Sequence, residues 1–341
     1  MTIGNQIMPV NNVFERHAEI DLNIKGKHLL HNTFSRPIML ICETVNICNN
    51  SCVICADSIM TRERNIMPLP LFKHVLDSYV SMGGGYLSLT PVVGDIFMDP
   101  YLLDRIAILN EYKGRGISSL SVTTNAVLAQ RYSIRDLQYI VNAFDRIFIS
   151  VYGRDAEEYA TMTRRNNFDD MLKSANEIIR LIDDRRKIRI GFRLTGNYTE
   201  QELSSWVQDN FGVTIPFHAM NTFANWGNID TRLKTQLPVK WLPHIYNTTQ
   251  CFIPLLAAQV FSSGHLSFCA CADYNADEEL SLGHIQDADL LALYNSDKVR
   301  RLWNFEHDMP AFCRHCSFHR SIKQLSEFMW IFDRPLDFIG G

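Results

Sequence analysis

Six short apolar runs, at residues 38–41, 86–89, 120–123, 147–151, 188–194 and 214–217, recur along the first two thirds of the chain. Each is an apolar run suitable for a buried parallel strand. Between them lie helical patterns at 69–82, 101–112, 134–143, 168–182 and 199–210. Six strand–helix units in a row predict a parallel sheet with right-handed crossovers. The expected fold is α/β, a partial (β/α)6 barrel of the TIM type followed by a small cysteine-rich domain. In such barrels the chemistry sits at the carboxyl ends of the strands.

Residues 1–37 show no clear periodicity and read as a lead-in that packs on the main domain. The strand–helix rhythm stops after Trp226-Gly227-Asn228-Ile229, and Pro238, Pro243 and Pro254 punctuate the passage into a module that ends near His319. In the tail, Leu325, Phe328, Met329 and Phe332 share one helical face, a packing stripe. The expected divisions are 1–37, a barrel at 38–236, a cysteine module at 237–320 and a helical tail at 321–341.

Composition narrows the classes. With 341 residues, 46% hydrophobic and 21% charged, the chain can bury a large core. A net charge of −4 gives no electrostatic case for nucleic acid. No run of about 18 apolar residues argues for a membrane span, and the start lacks the charged-then-apolar signature of a signal peptide. The expected location is the cytoplasm. Nine cysteines clustered in two zones read as metal ligands rather than disulfides. Cys42, on the first apolar run, reads as a core residue.

The first zone is Cys48-x3-Cys52-x2-Cys55, just after the first strand. A 4Fe–4S cube normally takes four cysteines, one per iron. Three close cysteines with no local fourth can hold a cube whose last iron is open to a non-protein ligand. A zinc knuckle, the plain alternative, wants four ligands in two pairs and fits this spacing poorly.

This motif resembles the signature of the radical S-adenosylmethionine (radical SAM) enzymes. The resemblance implies that the open iron chelates SAM. It also implies that reductive cleavage gives a 5′-deoxyadenosyl radical that abstracts hydrogen from substrate. It further implies SAM contacts. Gly94-Asp95 resembles the segment that holds the SAM ammonium, with Asp95 in place of a glutamate. Thr124-Asn125 ends the third strand, and Ser150 resembles the fourth-strand serine near the ribose or carboxylate. Arg164 lies in a run resembling the family's arginine-bearing segment, Trp226 in the turn along the adenine, and Ile54 where an aromatic often shields it. Arg193, a guanidinium on an apolar strand, must be paired. A SAM carboxylate would pair it in a bidentate way, and an internal salt bridge is the alternative.

The second zone, Cys251, Cys269, Cys271, Cys313 and Cys316, resembles the auxiliary-cluster module of the same family in its shortened form, called twitch. Its spacings are close to those of 2-deoxy-scyllo-inosamine dehydrogenase-like members. The resemblance implies that Cys251, Cys269, Cys313 and Cys316 close a second 4Fe–4S cluster. Tetrahedral zinc suits paired cysteines equally well. Cys271 is left over as alternative ligand, plain buried thiol or hydrogen-atom donor to a substrate radical. His315 and His319 read as exposed helix residues.

Together these imply SAM and two 4Fe–4S clusters as cofactors, and a flavodoxin- or ferredoxin-type reductant. The expected reaction is oxidation of a small polar metabolite, a sugar or aminocyclitol alcohol, with an electron passing to the auxiliary cluster. Peptide maturation and epimerisation stay open, and a non-enzymatic zinc scaffold is the different class. Tyr86, Tyr152 and His218 are candidate substrate contacts, each with a structural role as the alternative.

Overall fold

The computed structural model describes residues 19–24, 27–32, 36–226, 239–243, 246–304 and 309–321. It opens on an antiparallel hairpin, β1 (Glu19–Ile24) and β2 (Lys27–Asn32). The reading of residues 1–37 as aperiodic missed it. Its signal is the alternation of Ile20, Leu22 and Ile24 with Glu19, Asp21 and Asn23.

The barrel strands are β3 (Met39–Cys42), β4 (Gly85–Ser88), β5 (Ile117–Thr124), β6 (Arg146–Val151), β7 (Ile188–Arg193) and β8 (Phe217–Met220). They pair in parallel in that order. The crossovers are α1 (Leu69–Ser81), α2 (Leu102–Tyr112), α3 (Ile134–Ala143), α4 (Ala156–Thr163) with α5 (Phe168–Leu181), and α6 (Glu200–Phe211). Helix starts follow local chemistry. Ser133 and Asp155 accept backbone N–H bonds at the starts of α3 and α4, and Thr199 with Glu202 forms a capping box at α6. One boundary moved: the strand expected at 214–217 begins at Phe217. Pro216 has no N–H to give to a ladder, and only its carbonyl is used, by Ile190 N at 3.0 Å.

Ile147, Ile149 and Val151 on β6, and Ile188, Ile190 and Phe192 on β7, join the core under the helices. Period-two alternation sends Ser150 and Tyr152, Gly191 and Arg193 to the opposite face. That face is the inside of the barrel, and it is polar.

Two short strands follow, β9 (Thr222–Phe223) and β10 (Lys240–Trp241), paired with each other in parallel. Next come α7 (Ile253–Leu256), β11 (Ala257–Val260), β12 (His265–Ser267), β13 (Ser281–His284), α8 (Leu290–Tyr294), α9 (Asp297–Asn304) and α10 (Ala311–Arg314). β11 pairs in parallel with β3, so the nine-stranded sheet runs β13-β12-β11-β3-β4-β5-β6-β7-β8. The cysteine module therefore extends the barrel's own sheet, and Leu266, Leu280 and Tyr294 lie in the same core as Leu40 and Leu87. The boundary expected at 236/237 and the tail stripe of Leu325, Phe328, Met329 and Phe332 lie outside the described residues.

Candidate metal and cofactor site

Cys48, Cys52 and Cys55 sit in the loop that leaves β3, at its carboxyl end. The loop is held from several sides. Asn46, fully buried, donates from Nδ2 to Glu63 O at 2.7 Å and accepts from Asn65 N at 2.5 Å, closing the loop on itself. Ser51 N and Val53 N donate to Thr163 O and Met162 O at the end of α4, at 3.1 and 2.8 Å. Asn50 Nδ2 donates to Tyr159 Oη at 3.3 Å. Asp95 N donates to Ile47 O at 2.9 Å. At Gly94, φ is +134° and an added Cβ would meet Val45 O at 2.6 Å, so only glycine lets this segment approach the cysteine loop.

The donor chemistry fits an iron–sulfur cluster. Asn50 N and Asn125 Nδ2 point at Cys48 Sγ from 3.5 and 3.6 Å, and Asp57 N at Cys55 Sγ from 3.4 Å. Tyr152 hydrogen-bonds Cys52. Such donors stabilise thiolate charge. Burial pushes Cys55 up to about 11 and Cys48 and Cys52 higher still. These thiols therefore hold their protons until a positively charged cluster displaces them.

The SAM-contact candidates fall into two groups. Arg193 stands inside the barrel, its charge felt by Cys52 and Cys55. It lies 5.5 Å from the Tyr152 ring and donates to Gly191 O at 3.1 Å. Among the described residues it has no carboxylate partner, so the internal salt bridge expected as its alternative is not there. Ser150 lies opposite Gly191 on the same face.

Asp95 is turned inward instead. Its carboxylate accepts from Thr124 Oγ1 at 2.9 Å, Asn125 N at 2.8 Å and Phe97 N at 3.0 Å, and it is 2% exposed. Thr124 is spent on the same contact, and Asn125 is aimed at Cys48. Arg164, the left-handed cap of α4, is exposed. Its neighbour Arg165 is the residue that reaches the cysteine loop, donating to Asn49 O at 3.2 Å. Trp226 donates to Ile54 O at 2.8 Å and packs 4.8 Å from Phe318 and 6.0 Å from Tyr274. It thus joins the first cysteine loop to the second module. Gly227, Asn228 and Ile229 lie outside the described residues.

In the second module, Cys251, Cys269, Cys271, Cys313 and Cys316 all line one small cavity of about 40 Å³, walled by Ile253, Phe268, Phe312 and Phe318. Arg320 N donates to Cys251 Sγ and Ala272 N to Cys269 Sγ, both at 3.4 Å. Phe318 N and His319 N serve Cys316. Burial raises every one of these thiols, Cys251 to about 11. Among the described residues no three ligand groups converge on a single ion. Four cysteines suit tetrahedral zinc and a closed 4Fe–4S cluster alike. Cys271 shares this cavity, with Cys269, Cys316 and Cys251 as its neighbours. His315 and His319 are half-buried rather than exposed: His315 caps α10, and His319 Nε2 pairs with Thr249 O at 2.8 Å. Cys42 is fully buried, 4.0 Å from the Met67 sulfur.

A buried ion pair that sequence reasoning missed ties the two regions. Glu43, fully buried at the end of β3, accepts from both terminal nitrogens of Arg62 and from Ser262 N and Oγ. Arg62 also donates to Tyr274 O at 2.6 Å. Nothing in the local sequence pairs residues 43, 62 and 262.

Two stretches of the chain match models of known families. Residues 42–203 match the model of the Radical SAM superfamily, and residues 251–317 match SPASM, an iron–sulfur cluster-binding domain. No curated protein sequence matches. Among solved structures, BtrN in complex with AdoMet and 2-DOIA aligns at TM-score 0.50 and 16% identity, covering 79% of this chain and 87% of that one. SuiB of Streptococcus suis bound to S-adenosylmethionine aligns at 0.57 and 16%, covering 84% and 72%. Native anSMEcpe with bound AdoMet and Kp18Cys peptide aligns at 0.53 and 13%, covering 89% and 99%. At these identities the likeness is one of fold.

Proposed function

For a chain carrying a radical SAM domain and a SPASM domain, an enzyme with SAM and 4Fe–4S clusters as cofactors, we propose a radical SAM oxidoreductase acting on a small polar metabolite of sugar or aminocyclitol type. Bound SAM and its cluster would supply a 5′-deoxyadenosyl radical, able to take hydrogen from an unactivated C–H bond. Cys48, Cys52 and Cys55 would hold that cluster, with Asn50, Asp57 and Asn125 easing charge on the sulfurs. Arg193 pairs with the SAM carboxylate, and Ser150 and Gly94 line the same site. Asp95 and Thr124 act as positioning residues that aim Asn125 at Cys48. Trp226 closes the adenine end against the second module, and Arg165 rather than Arg164 serves the loop.

The observation that carries the oxidation reading is the apolar cavity ringed by five thiols. Cys251, Cys269, Cys313 and Cys316 would keep a one-electron acceptor inside the protein, which a two-electron oxidation with one SAM requires. Cys271 sits in that cavity and serves the module, so we assign it no hydrogen-donor role toward substrate. The reductant is a flavodoxin- or ferredoxin-type protein, and the location the cytoplasm, where such thiols stay reduced.

The test is anaerobic reconstitution followed by SAM, dithionite and the probes 2-deoxy-scyllo-inosamine and glucosamine. A product two mass units lighter, equimolar with 5′-deoxyadenosine, supports oxidation. Reconstitution to about eight irons per chain fits two cubes, and zinc without sulfide refutes them. The likeness to SuiB and to a peptide-bound anSMEcpe favours a second reading, peptide modification. That reading wins if the probes stay intact while a precursor peptide changes mass.

A further inference from the structure

One buried polar atom inside the barrel stands without a partner among the described residues. His218 lies on β8 in register with Gly191 of β7, which is itself in register with Ser150 of β6. Nε2 of His218 is buried and has no hydrogen-bond partner among the described residues. A Cβ on Gly191 would come within 3.1 Å of that nitrogen and 2.8 Å of Arg193 Nη1. Gly191 therefore leaves open the space in which His218 and Arg193 stand side by side. Arg193 shares its field with Cys52 and Cys55, so His218 is on the face where radical chemistry would occur.

Buried polar atoms in native proteins are nearly always satisfied, and an exception calls for a partner. Arg193 does not supply one: its Nη1 donates to Gly191 O at 3.1 Å and makes no bond to the imidazole. Burial, then the Arg193 charge, holds the imidazole down to about 4, so the ring is neutral, and in the tautomer with its proton on Nδ1 the Nε2 atom is free to accept. The missing partner is a donor: a substrate hydroxyl.

We propose that His218 is a catalytic residue whose Nε2 binds the hydroxyl of the reacting carbinol and takes its proton. The inference rests on the oxidation reading above. In the balanced step, the carbinol C–H gives its hydrogen atom to the 5′-deoxyadenosyl radical, forming 5′-deoxyadenosine. The O–H proton passes to His218 Nε2, and the remaining electron passes to the auxiliary 4Fe–4S cluster, a one-electron acceptor. The substrate leaves as a carbonyl compound. The nearby Arg193 charge keeps the new imidazolium acidic, so it returns the proton to water once product departs.

His218→Gln tests this, because glutamine can still hydrogen-bond the hydroxyl yet takes no proton. The reconstituted enzyme is given 2-deoxy-scyllo-inosamine or glucosamine, deuterated at the carbinol carbons. Deuterium is expected in 5′-deoxyadenosine, while oxidised product falls by about 10²–10⁴-fold, the usual share of a positioned base. The ratio of 5′-deoxyadenosine to product rises at least tenfold. Freeze-quenched samples show an organic-radical EPR signal that the unsubstituted enzyme lacks. If His218→Gln does not fold, His218→Asn gives the same readouts. A product ratio within twofold of the unsubstituted enzyme, with no new radical signal, overturns the proposal alone. If the unsubstituted enzyme leaves both probes unoxidised, the metabolite reading falls and this proposal falls with it.

Discussion

Removing one half of the Glu43–Arg62 pair should destabilise the protein far more than removing the charge from both. Glu43 is 0% exposed, and its carboxylate receives both Arg62 terminal nitrogens and both donors of Ser262. In Arg62→Met, the methionine stem keeps contact with Phe261, whose ring lies 4.6 Å from the guanidinium. What it leaves is a buried carboxylate with only Ser262 for company. Stranding a buried charge in this way costs about 3–5 kcal/mol. For a chain of this length, taken at about 2 °C per kcal/mol, the melting point falls by roughly 6–10 °C. In the double variant Glu43→Gln, Arg62→Met, the glutamine still accepts from Ser262 and no charge is stranded. Its loss should shrink to about 1–2 kcal/mol, the worth of the missing hydrogen bonds. Urea unfolding followed by circular dichroism, on apo and reconstituted protein, measures both. A loss below about 0.5 kcal/mol in Arg62→Met, or a double variant no better than the single, would refute the account.

Replacing Cys52 with Ala should halve the iron bound on reconstitution and abolish 5′-deoxyadenosine formation, read by chromatography. Cys313→Ala should also lower iron, while Cys271→Ala should keep at least 80% of it by colorimetric assay, roughly the outcome for a thiol beside a four-cysteine cluster. Equal iron loss in the two would make Cys271 a ligand. For pH, His218 is held down to about 4 in the fold and lies near 6.5 when unfolded. The unfolded chain therefore binds the extra proton between those values. His218 thus withdraws stability as pH falls through 6.5 toward 4, and none above. Urea midpoints between pH 7.5 and 5 should fall less steeply in His218→Gln, and parallel curves would contradict this.

Local periodicity and spacing made much of the architecture legible. Runs such as 147–151 and 188–194 became β6 and β7, because the face each strand turns to the helices is apolar at every second residue. The 134–143 pattern became α3 with its Ser133 cap in place. Cys48, Cys52 and Cys55 could be read together because all three lie within one loop.

Contacts across long separations were not legible, since they depend on which surfaces meet when the sheet closes. Asp95 has the sequence context of a ligand-binding carboxylate, yet folding places three donors against it. Cys271 is left over in the sequence as alternative ligand, buried thiol or hydrogen-atom donor, and only the tertiary structure sets it in one cavity with Cys313 and Cys316. The cysteine module expected at 237–320 reads in the sequence as a domain of its own, and only the folded chain shows β11, within it, pairing with β3 and extending the sheet. Glu43 and Ser262 lie 219 residues apart and meet only because those two strands are neighbours. A sequence records the period and the spacing of its own segments. The partner of a buried charge, or the lack of one at His218, is decided by packing.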